Sequence, residues 1–535
     1  MFWKKETPIV PPKPSYSEAA TTPELSTAYM QQNYPSYLQL IQAQVFFRHG
    51  ERAPINPHLY PEKKWLYCER ANRLHSEFMK AVDKFLPLDE EMPPPATADT
   101  GRTHLGIDGV KYQPAKWSLR LGEKPSGRED ASAWDPRACQ IGQLSDIGLD
   151  TLYRSGTYLR KLYADKLGFI PKVPTDNMSD WLYVRTTDYS RVIQSTHALL
   201  AGLYPGYPKE TPKGQWPAFD KQFLRQFPIH TRHLEEETLH GDFSCASFLR
   251  HFSDVKVTDA RQLKWLDDLY RQTEQLPEIG DRAKKVMDRV CFASNYHPVF
   301  DEIMSMIGHG EPLPAFMSRE HLDLLGRASK LQWMGAVADL SAQRLGFGRL
   351  LDDIVQTMHQ AVSATESTEA MWPRMGSQRQ KDLLLSHDAG VRKESETEVP
   401  RVPKLALYGA HDVTLGPLAI ILGGSVASNW LPFASMLSIE LFRDSQNEWP
   451  EHQVRRQLSR PPTLENAANT PAGYFVRVKL DDAELKLPTC LPKGKHHPKM
   501  GPAVCSLEAF YEHLAPVVPL PQDAEKECGI LSSTA

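Results

Sequence analysis

The stretch "QVFFRHGERAPI", residues 44–55, places basic side chains on both sides of a histidine. Arg48 directly precedes His49, and Arg52 follows it three residues later, next to Glu51. Two guanidinium groups disfavour a protonated imidazole between them, but each can donate two parallel hydrogen bonds to a phosphoryl group. A neutral imidazole in such a place is a competent nucleophile. The stretch therefore predicts a phosphate-binding site in which His49 attacks phosphorus.

Two more segments place polar residues where predicted strands end. "KLALYGAHDV" leads a β-prone run into His411 and Asp412, and "WLYVRTTDYSR" leads a short strand through a turn to Arg191. Because the ligands of an open α/β sheet bind at the carboxyl ends of its strands, we expect these groups to meet His49. Asp412 can protonate a leaving alkoxide and then act as a base toward water.

Two residues beside these motifs admit more than one role. Arg185, at the start of "RTTDYSR", is either a supporting site residue or a structural partner of Asp188. Glu51, inside the first motif, is the next candidate for the proton donor if Asp412 does not serve. The sequence alone does not decide between these roles.

The hydrophobic pattern predicts the elements that carry these residues. A buried strand spans Leu38–Phe47, and a short strand at Trp181–Val184 precedes a helix over residues 189–203. Apolar residues at helical spacing follow Ser145, which we expect to be the N-cap of another helix. "NWLPFASMLSIELFRD" and "GYFVRVKLDD" predict two further strands. Alternating strands and helices predict an α/β sheet.

The chain divides into three predicted parts. Residues 1–36 read as an irregular N-terminal arm, and residues 37–205 together with 401–528 read as an α/β core. Residues 206–400 show helical periodicity with little strand signal, which predicts an inserted helical cap ending in a flexible loop at about 364–402. Within the cap, the acidic stretch "HLEEETLHG" predicts an exposed helix end, with the alternative that its histidines line the cap.

Composition restricts the class of protein. The 535 residues are 41% hydrophobic and 24% charged with a formal net charge of −4, typical of a soluble globular protein and without the basic field that recruits nucleic acid. No run approaches the roughly 18 apolar residues of a membrane span. The N-terminus lacks the apolar segment of a secretory signal, which favours an intracellular location, mitochondrial or cytoplasmic. The oligomeric state does not follow from the sequence.

Seven cysteines are too dispersed for a zinc ribbon and too few for a disulfide scaffold. Their odd number, in a chain with no recognisable secretory signal, predicts free thiols.

The motifs resemble those of the histidine acid phosphatases, the larger branch of the histidine phosphatase superfamily. Residues 48–54 match the family pattern R-H-G-x-R-x-P, and His411 with Asp412 matches its His-Asp pair. "RTTDYSR" is similar to the family's R-S-T-D-x-x-R and places Arg191 at the phosphate-contacting position. The resemblance covers about residues 40–528. Within the family it is greatest to the lysophosphatidic acid phosphatases, through "AGLYPG", "AHDVT" and "PFASMLSIELF".

This resemblance implies a three-layer α/β sheet like that of phosphoglycerate mutase, with an inserted, mostly helical cap. It implies an acid phosphomonoesterase in which His49 is the nucleophile and Asp412 the proton donor. Phosphate contacts are implied for four residues: Arg48, Arg52, Arg191 and His411. The implied substrate is lysophosphatidic acid or a similar small phosphate monoester, and neither a metal nor another cofactor is implied.

Two alternatives stay open at this point. One is a phytase-like inositol phosphate phosphatase, although that subset replaces the His-Asp pair by H-A-E. The other is an inactive relative that binds phosphorylated ligands, although inactive members usually lose the nucleophile, the acid or an arginine. This chain retains all of them.

The resemblance also implies disulfides. Cysteines that the family often pairs are matched by Cys490 with Cys505 and by Cys245 with Cys528, whereas the partner expected for Cys291 falls at Met436. Two bridges suit an oxidising compartment, in contrast to the free thiols and intracellular location expected above.

Overall fold

Eight strands form one mixed sheet in the computed structural model, which describes residues 23–73, 135–205, 227–254, 297–366, 402–423, 430–446 and 472–528 apart from short gaps within these ranges. In chain order the strands are β1 (Leu38–Arg48), β2 (Leu182–Thr186), β3 (Leu405–Ala410), β4 (Met436–Asp444), β5 (Tyr474–Leu480), β6 (Ala483–Leu485), β7 (His496–His497) and β8 (Gly501–Ser506). Their order in the sheet is β2-β3-β1-β4-β5-β8-β7, with β6 paired to β5. β3 runs parallel to β1 and β2, and the other pairs are antiparallel.

Nine α-helices accompany the sheet in the described part of the chain. They are α1 (Thr27–Asn33), α2 (Asp146–Leu159), α3 (Ser190–Leu203), α4 (Ala246–Asp254), α5 (His297–Gly308), α6 (Arg319–Met334), α7 (Leu340–Glu366), α8 (Asp412–Ile421) and α9 (Leu507–Leu514). A π-helical segment (Arg160–Lys166) continues α2, and short 3-10 turns occupy Met178–Asp180, Gly335–Ala338 and Pro488–Cys490. All described helices are too short or too polar to span a lipid bilayer.

Alternation along β1 divides the core into two layers, one on each face of the sheet. Phe46 packs in a cluster that includes residues of α7, α8 and α9, whereas Val45 and Phe47 pack in a cluster with residues of α2 and α3. Successive side chains of a strand point to opposite faces, so a strand buried on both sides reads as an apolar run. The result is the expected three-layer α/β fold.

The structure agrees with most predicted elements. Strands occupy the predicted positions, His411 directly follows β3, and the Ser145 side chain accepts the backbone N–H of Gly148 as the N-cap of α2. Helix α1, capped by Ser26, lies within the arm that we expected to be irregular. The division into arm, core and cap stays a prediction, because much of residues 206–296 and 367–401, including most of the expected flexible loop, lies outside the described residues.

A buried ion pair joins β4 to β5 on the side covered by α1. Glu440 and Arg477 are register partners, and their carboxylate and guanidinium groups approach to 2.7 Å with almost no exposure. Tyr34, which follows α1, donates a hydrogen bond to Glu440, and its ring lies 4.6 Å from the Arg477 guanidinium carbon. Such a pair offsets its own desolvation only when its remaining hydrogen bonds are made, as they are here.

Six of the seven cysteines form disulfides. Cys245 is bonded to Cys528 and Cys490 to Cys505, and a third bridge joins Cys68 to Cys139. The expectation of free thiols is therefore wrong for these six, because residues far apart in sequence are brought together by the fold. Cys291 lies outside the described residues. Three bridges favour an oxidising compartment over the reducing one expected from the N-terminus.

We expect a reducing agent to lower the melting temperature. The Cys490–Cys505 bridge closes a loop with a sequence separation of 15, for which the chain-entropy estimate is about 3 kcal/mol. A Cys490→Ser/Cys505→Ser double variant should lose that contribution and respond less to the reductant. Peptide mapping without reduction should recover three linked pairs, and recovery of free thiols at all these positions would contradict the bridges.

Candidate active site

The sequence-predicted groups converge at one edge of the sheet. His49 follows β1, His411 and Asp412 follow β3, and Thr187 follows β2, so three parallel strands deliver their carboxyl ends to the same place. β4 runs antiparallel to β1, and therefore the segment that precedes it, residues 430–435, arrives at this edge as well. The ring centroids of His49 and His411 lie 5.5 Å apart.

The backbone around His49 fixes its ring orientation. Nδ1 lies 2.9 Å from the carbonyl oxygen of Gly50. A carbonyl only accepts hydrogen bonds, so Nδ1 carries the proton of the neutral ring and the lone pair is on Nε2. Burial, together with the charges of Arg191, Arg52 and Arg48, holds the pKa of His49 well below its ordinary value. The imidazole is therefore neutral even in mildly acidic solution.

Close packing against α2 shapes the turn after His49. A β-carbon at Gly50 would lie 2.5 Å from the carbonyl oxygen of Gly148, and one at Gly148 would lie 2.3 Å from that of Glu51. Both positions therefore require glycine. Ser145, the N-cap of α2, also donates its hydroxyl to the Glu51 carbonyl at 3.0 Å. The close approach of these two backbone segments thus explains why "RHG" and "LSDIGL" each contain a glycine.

Arg48 and Asp412 form an ion pair inside the site. Nη2 of Arg48 lies 2.6 Å from Oδ2 of Asp412, Nη1 donates to the carbonyl of Leu431, and the guanidinium lies 4.1 Å from the ring centroid of Phe433. Burial raises the pKa of Asp412, but the charge of Arg48 and smaller contributions from the other neighbouring groups together outweigh it, and the pKa lies below its ordinary value. Asp412 is therefore ionised in the structure described here.

Arg52 is held by a carboxylate of helix α5. Its Nη1 and Nη2 donate to the two oxygens of Asp301 at 3.0 and 2.6 Å, and Asp301 also accepts the backbone N–H of Ile55 at 3.0 Å. Burial raises the pKa of Asp301, but the charge and hydrogen bonds of Arg52, together with smaller contributions from other neighbouring groups, outweigh burial and keep the pKa below its ordinary value. The end of the guanidinium is occupied by Asp301, and its Nε side is left for another acceptor.

Arg191 completes a group of three arginines. Its guanidinium carbon lies 4.6 Å from the ring centroid of Tyr189, and burial with the charge of Arg52 lowers its pKa to about 10. Among the described residues, the Nε–H groups of Arg48, Arg52 and Arg191 are buried and have no hydrogen-bond partner. Leaving a buried donor unpaired costs about 1–3 kcal/mol, more for a charged group, so these three donors indicate an anionic ligand.

His411 lies close to His49 and contacts residues that follow β2. Its Nε2 is 2.9 Å from the hydroxyl of Thr187, and its ring meets the edge of Tyr189 with a centroid distance of 5.1 Å. Burial and the charge of Arg191 hold the pKa of His411 well below its ordinary value. A neutral ring can donate one hydrogen bond to a phosphate oxygen without adding charge.

The two residues with open roles have definite surroundings. Arg185, on β2, is ion-paired with Glu237 at 2.5 Å and with Asp353 at 3.5 Å. Its role, as a supporting site residue or as a structural residue, stays a prediction. Glu51 is buried beside α2 with one carboxylate oxygen lacking a partner among the described residues, and burial raises its pKa.

Residues 236–241 of the acidic stretch expected to be an exposed helix end are described, and they lie beside the site without forming a helix. Glu237, Thr238 and His240 among them are buried. The ring of His240 lies 5.8 Å from that of His411. The error has a physical cause: Glu237 is buried because it neutralises Arg185, a partner that is 52 residues away in sequence.

The comparisons with known proteins agree with this geometry. The family model described as the histidine phosphatase superfamily, branch 2, matches residues 39–459. The chain belongs to this family. It is a histidine acid phosphatase, a phosphomonoester hydrolase.

Relatives of this histidine acid phosphatase carry matching names. A protein of Schizosaccharomyces pombe named "Probable acid phosphatase" is 25% identical over 521 residues, 91% of this chain and 94% of its own length. Lysophosphatidic acid phosphatase type 6 of Homo sapiens is 25% identical over 422 residues, 77% of this chain and 76% of its own. A Hafnia alvei phytase in complex with myo-inositol hexakis sulphate matches 92% of this chain and 99% of its own at 14% identity, with a TM-score of 0.48. That last similarity is too low to assign a substrate.

Sequence reasoning missed three residues of the histidine acid phosphatase site. Asp301 and Trp430 hold Arg52 and Asp412, and Thr187 holds His411. Thr187 was accessible, since it lies in "RTTDYSR" next to the recognised positions. Asp301 and Trp430 have no local signal in the sequence, because their partners lie 249 and 18 residues away from them along the chain.

We expect Asp301→Asn to impair catalysis through Arg52. An amide has one acceptor oxygen and two donors, so it cannot hold both Nη groups and the Ile55 N–H. Misplacing the guanidinium should lower kcat/KM by on the order of 10- to 100-fold. Glu440→Gln is the matched control, because it alters another buried arginine pair, with Arg477, on the far strands of the sheet. Equal loss of kcat/KM in both variants, at equal loss of melting temperature, would assign Asp301 a role in stability only.

Proposed function

We propose that the protein hydrolyses small phosphate monoesters in two steps through a phosphohistidine on Nε2 of His49. The observation that carries this proposal is the set of three buried, unpartnered Nε–H groups of Arg48, Arg52 and Arg191 beside that imidazole. Guanidinium groups neutralise a phosphoryl dianion and can hold its oxygens with directed hydrogen bonds. The donors and the nucleophile are then parts of one site.

In the first step, the lone pair of His49 Nε2 forms a bond to phosphorus as the bond from phosphorus to the ester oxygen breaks. The departing oxygen takes the proton of Asp412, so an alcohol leaves and the Asp412 carboxylate remains. The arginines hold the three equatorial oxygens, on which charge is spread in the transition state. Nδ1 keeps its proton and donates a hydrogen bond to the Gly50 carbonyl throughout, which stabilises the cationic phosphoimidazole.

In the second step, the Asp412 carboxylate takes a proton from a water molecule that attacks phosphorus. The bond between phosphorus and Nε2 breaks, and its electron pair returns to the imidazole. Inorganic phosphate leaves and Asp412 is protonated again, so the cycle closes without any other reactant. One carboxyl group thus serves as acid and then as base.

The ionised state of Asp412 in the structure is compatible with this cycle. Its pKa is held down chiefly by Arg48, which opposes the effect of burial. A phosphoryl dianion bound to the same arginine supplies a competing negative charge, and a nearby like charge raises the pKa of a carboxyl group. Substrate binding therefore favours the protonated form of Asp412 that the first step requires.

For the substrate we propose lysophosphatidic acid or a similar monoester with one phosphate. One support is the sequence similarity to lysophosphatidic acid phosphatase type 6, which bears that activity in its name. A second support is that the three arginines described around His49 suffice for a single phosphoryl group. In addition, the ring of Phe433 lies against Arg48 and the ring of Tyr189 lies against Arg191.

A panel of phosphate monoesters tests the substrate. We expect kcat/KM to be higher for lysophosphatidate than for glycerol phosphate, and lowest for inositol hexakisphosphate, whose further phosphates find no matched cations among the described residues of the proposed site. The assay also needs p-nitrophenyl phosphate as a general reporter. Hydrolysis of p-nitrophenyl phosphate with a preference for inositol hexakisphosphate would support the phytase-like alternative, and no hydrolysis at all would support an inactive relative.

His49→Ala should abolish both turnover and phosphoenzyme formation, because no other group in the site can replace the attacking nitrogen. Rapid quenching with labelled substrate should trap an acid-labile, base-stable phosphate on the unaltered protein and none on the variant. His411→Ala serves as the comparison, since it removes a phosphate contact but keeps the nucleophile, and should slow labelling without abolishing it. Normal labelling of the His49 variant would refute the proposed intermediate.

Asp412→Asn should slow phosphorylation by an alkyl phosphate more than by p-nitrophenyl phosphate. An alkoxide needs its proton in the transition state, whereas nitrophenolate leaves unaided, so the difference should approach the 10²- to 10⁴-fold typical of general acid catalysis. The phosphorylation step must be measured in single turnovers, because Asp412 also assists the hydrolysis of the intermediate. Equal losses for the two substrates would move the proton donor elsewhere, and Glu51 would be tested next.

A further inference from the structure

Trp430 contacts the carboxyl group to which the acid role is assigned. Its indole Nε1 lies 2.9 Å from Oδ2 of Asp412 and donates a hydrogen bond to it. The Trp430 side chain is buried. An indole N–H only donates, so this contact is made to the oxygen's lone pair and favours the ionised carboxylate.

The ring of Trp430 is embedded in the hydrophobic cluster of α5 and α6. It meets Phe300 at a centroid distance of 5.6 Å and His297 at 4.9 Å. His297 in turn lies 5.0 Å from Trp333 of α6. The indole is thus held by helices that belong to the sequence between β2 and β3, while its N–H reaches a residue at the end of β3.

The two oxygens of Asp412 are not equivalent. Oδ2 takes two donors, Nη2 of Arg48 at 2.6 Å and Nε1 of Trp430 at 2.9 Å. Oδ1 takes one, the backbone N–H of Val413 at 2.8 Å. A carboxylate oxygen has about two acceptor positions, so Oδ2 is filled and only Oδ1 can carry a proton.

Other charges face Asp412 from the surrounding elements. Arg48 and Arg52 approach from β1 and the turn after it, Arg191 from α3 and His297 from α5. Of these, the arginines are also the groups proposed to bind phosphate. The Trp430 N–H is a side-chain donor to Asp412 that carries no charge and is not proposed to contact phosphate.

We propose that Trp430 is a positioning residue that turns Oδ1 of Asp412 toward the leaving oxygen and sets the pH at which this acid loses its proton in the substrate complex. The inference rests on the proposed role of Asp412 as general acid. When Arg48 turns to the phosphoryl group, the bond from Trp430 remains and keeps Oδ2 as the anchored oxygen.

Trp430→Phe tests this role. Phenylalanine keeps an aromatic ring in the cluster and removes the N–H. Removing a hydrogen bond to the charged carboxylate disfavours the ionised form, so the pKa of Asp412 should rise by about one to two units. The acid must be protonated for the first step, so the fall in the phosphorylation rate with rising pH should occur about one to two pH units higher in the variant.

The measurement is the single-turnover rate of phosphorylation at saturating glycerol 2-phosphate as a function of pH. These conditions report the groups that titrate in the substrate complex. The alkaline limb should move upward in Trp430→Phe. With p-nitrophenyl phosphate, whose departure does not need the acid, the variant and the unaltered protein should have the same alkaline limb.

Trp333→Phe is the matched control. It makes the same change to the other tryptophan that stacks on His297, and the alkaline limb should stay where it is. An unmoved limb in Trp430→Phe with a reduced plateau would show that Trp430 only supports the fold, and would overturn the proposal. An equal shift of the alkaline limb in both variants would also overturn the proposal. If the unaltered protein hydrolyses no phosphate monoester, the proposed function fails first and independently.

A second measurement applies if Trp430→Phe does not fold. The full-length protein containing 5-fluorotryptophan should show a fluorine resonance that moves as Asp412 titrates, because the indole N–H is bonded to its carboxylate. Asp412→Asn should abolish that movement. A set of resonances that respond identically to pH in both proteins would refute the contact as a determinant of Asp412 protonation.

Discussion

Three guanidinium groups around one buried imidazole are the constraint on which the rest of the structure depends. Burial and mutual repulsion both oppose the arrangement, and they lower the pKa of Arg48 and Arg191. Two carboxylates offset it, Asp412 from the end of β3 and Asp301 from α5. Arg191 has no such partner in the described part of the chain and lies over the ring of Tyr189. A phosphoryl dianion supplies the negative charge that this cluster still lacks.

The same balance of charge involves helix α5 in the candidate site. Helix α5 provides Asp301 to Arg52, and its Glu302 accepts the backbone N–H groups of Leu59 and Tyr60. Gly308, at the end of α5, packs against Phe433 and Glu51. The turn after β1 is therefore held from both sides, by α2 and by α5. Phosphate affinity and the protonation of Asp412 are both coupled to the position of these helices.

Sequence by itself determined the chemistry and the place of the main groups. The arginines in "RHGER" predict a phosphate site because the planar guanidinium group donates paired hydrogen bonds. The histidine predicts a nucleophile because a neutral imidazole can attack phosphorus. Apolar runs ending at His49 and at His411 predicted two strand ends, and parallel strands bring such ends together. Local patterns sufficed to predict these features, since each of them depends on about ten consecutive residues.

Only the tertiary structure decided which groups pair with them. Asp301 meets Arg52 across 249 residues, Glu237 meets Arg185 across 52, and Cys68 meets Cys139 across 71. No periodicity relates such partners, because an ion pair or a disulfide depends on distance in space and not along the chain. The protonation state of Asp412 likewise depends on partners that are close in space. A carboxyl group at a strand end can be an acid or an ion-pair partner. Its donors here are Arg48 and Trp430, and Trp430 is held in place by packing against helices α5 and α6.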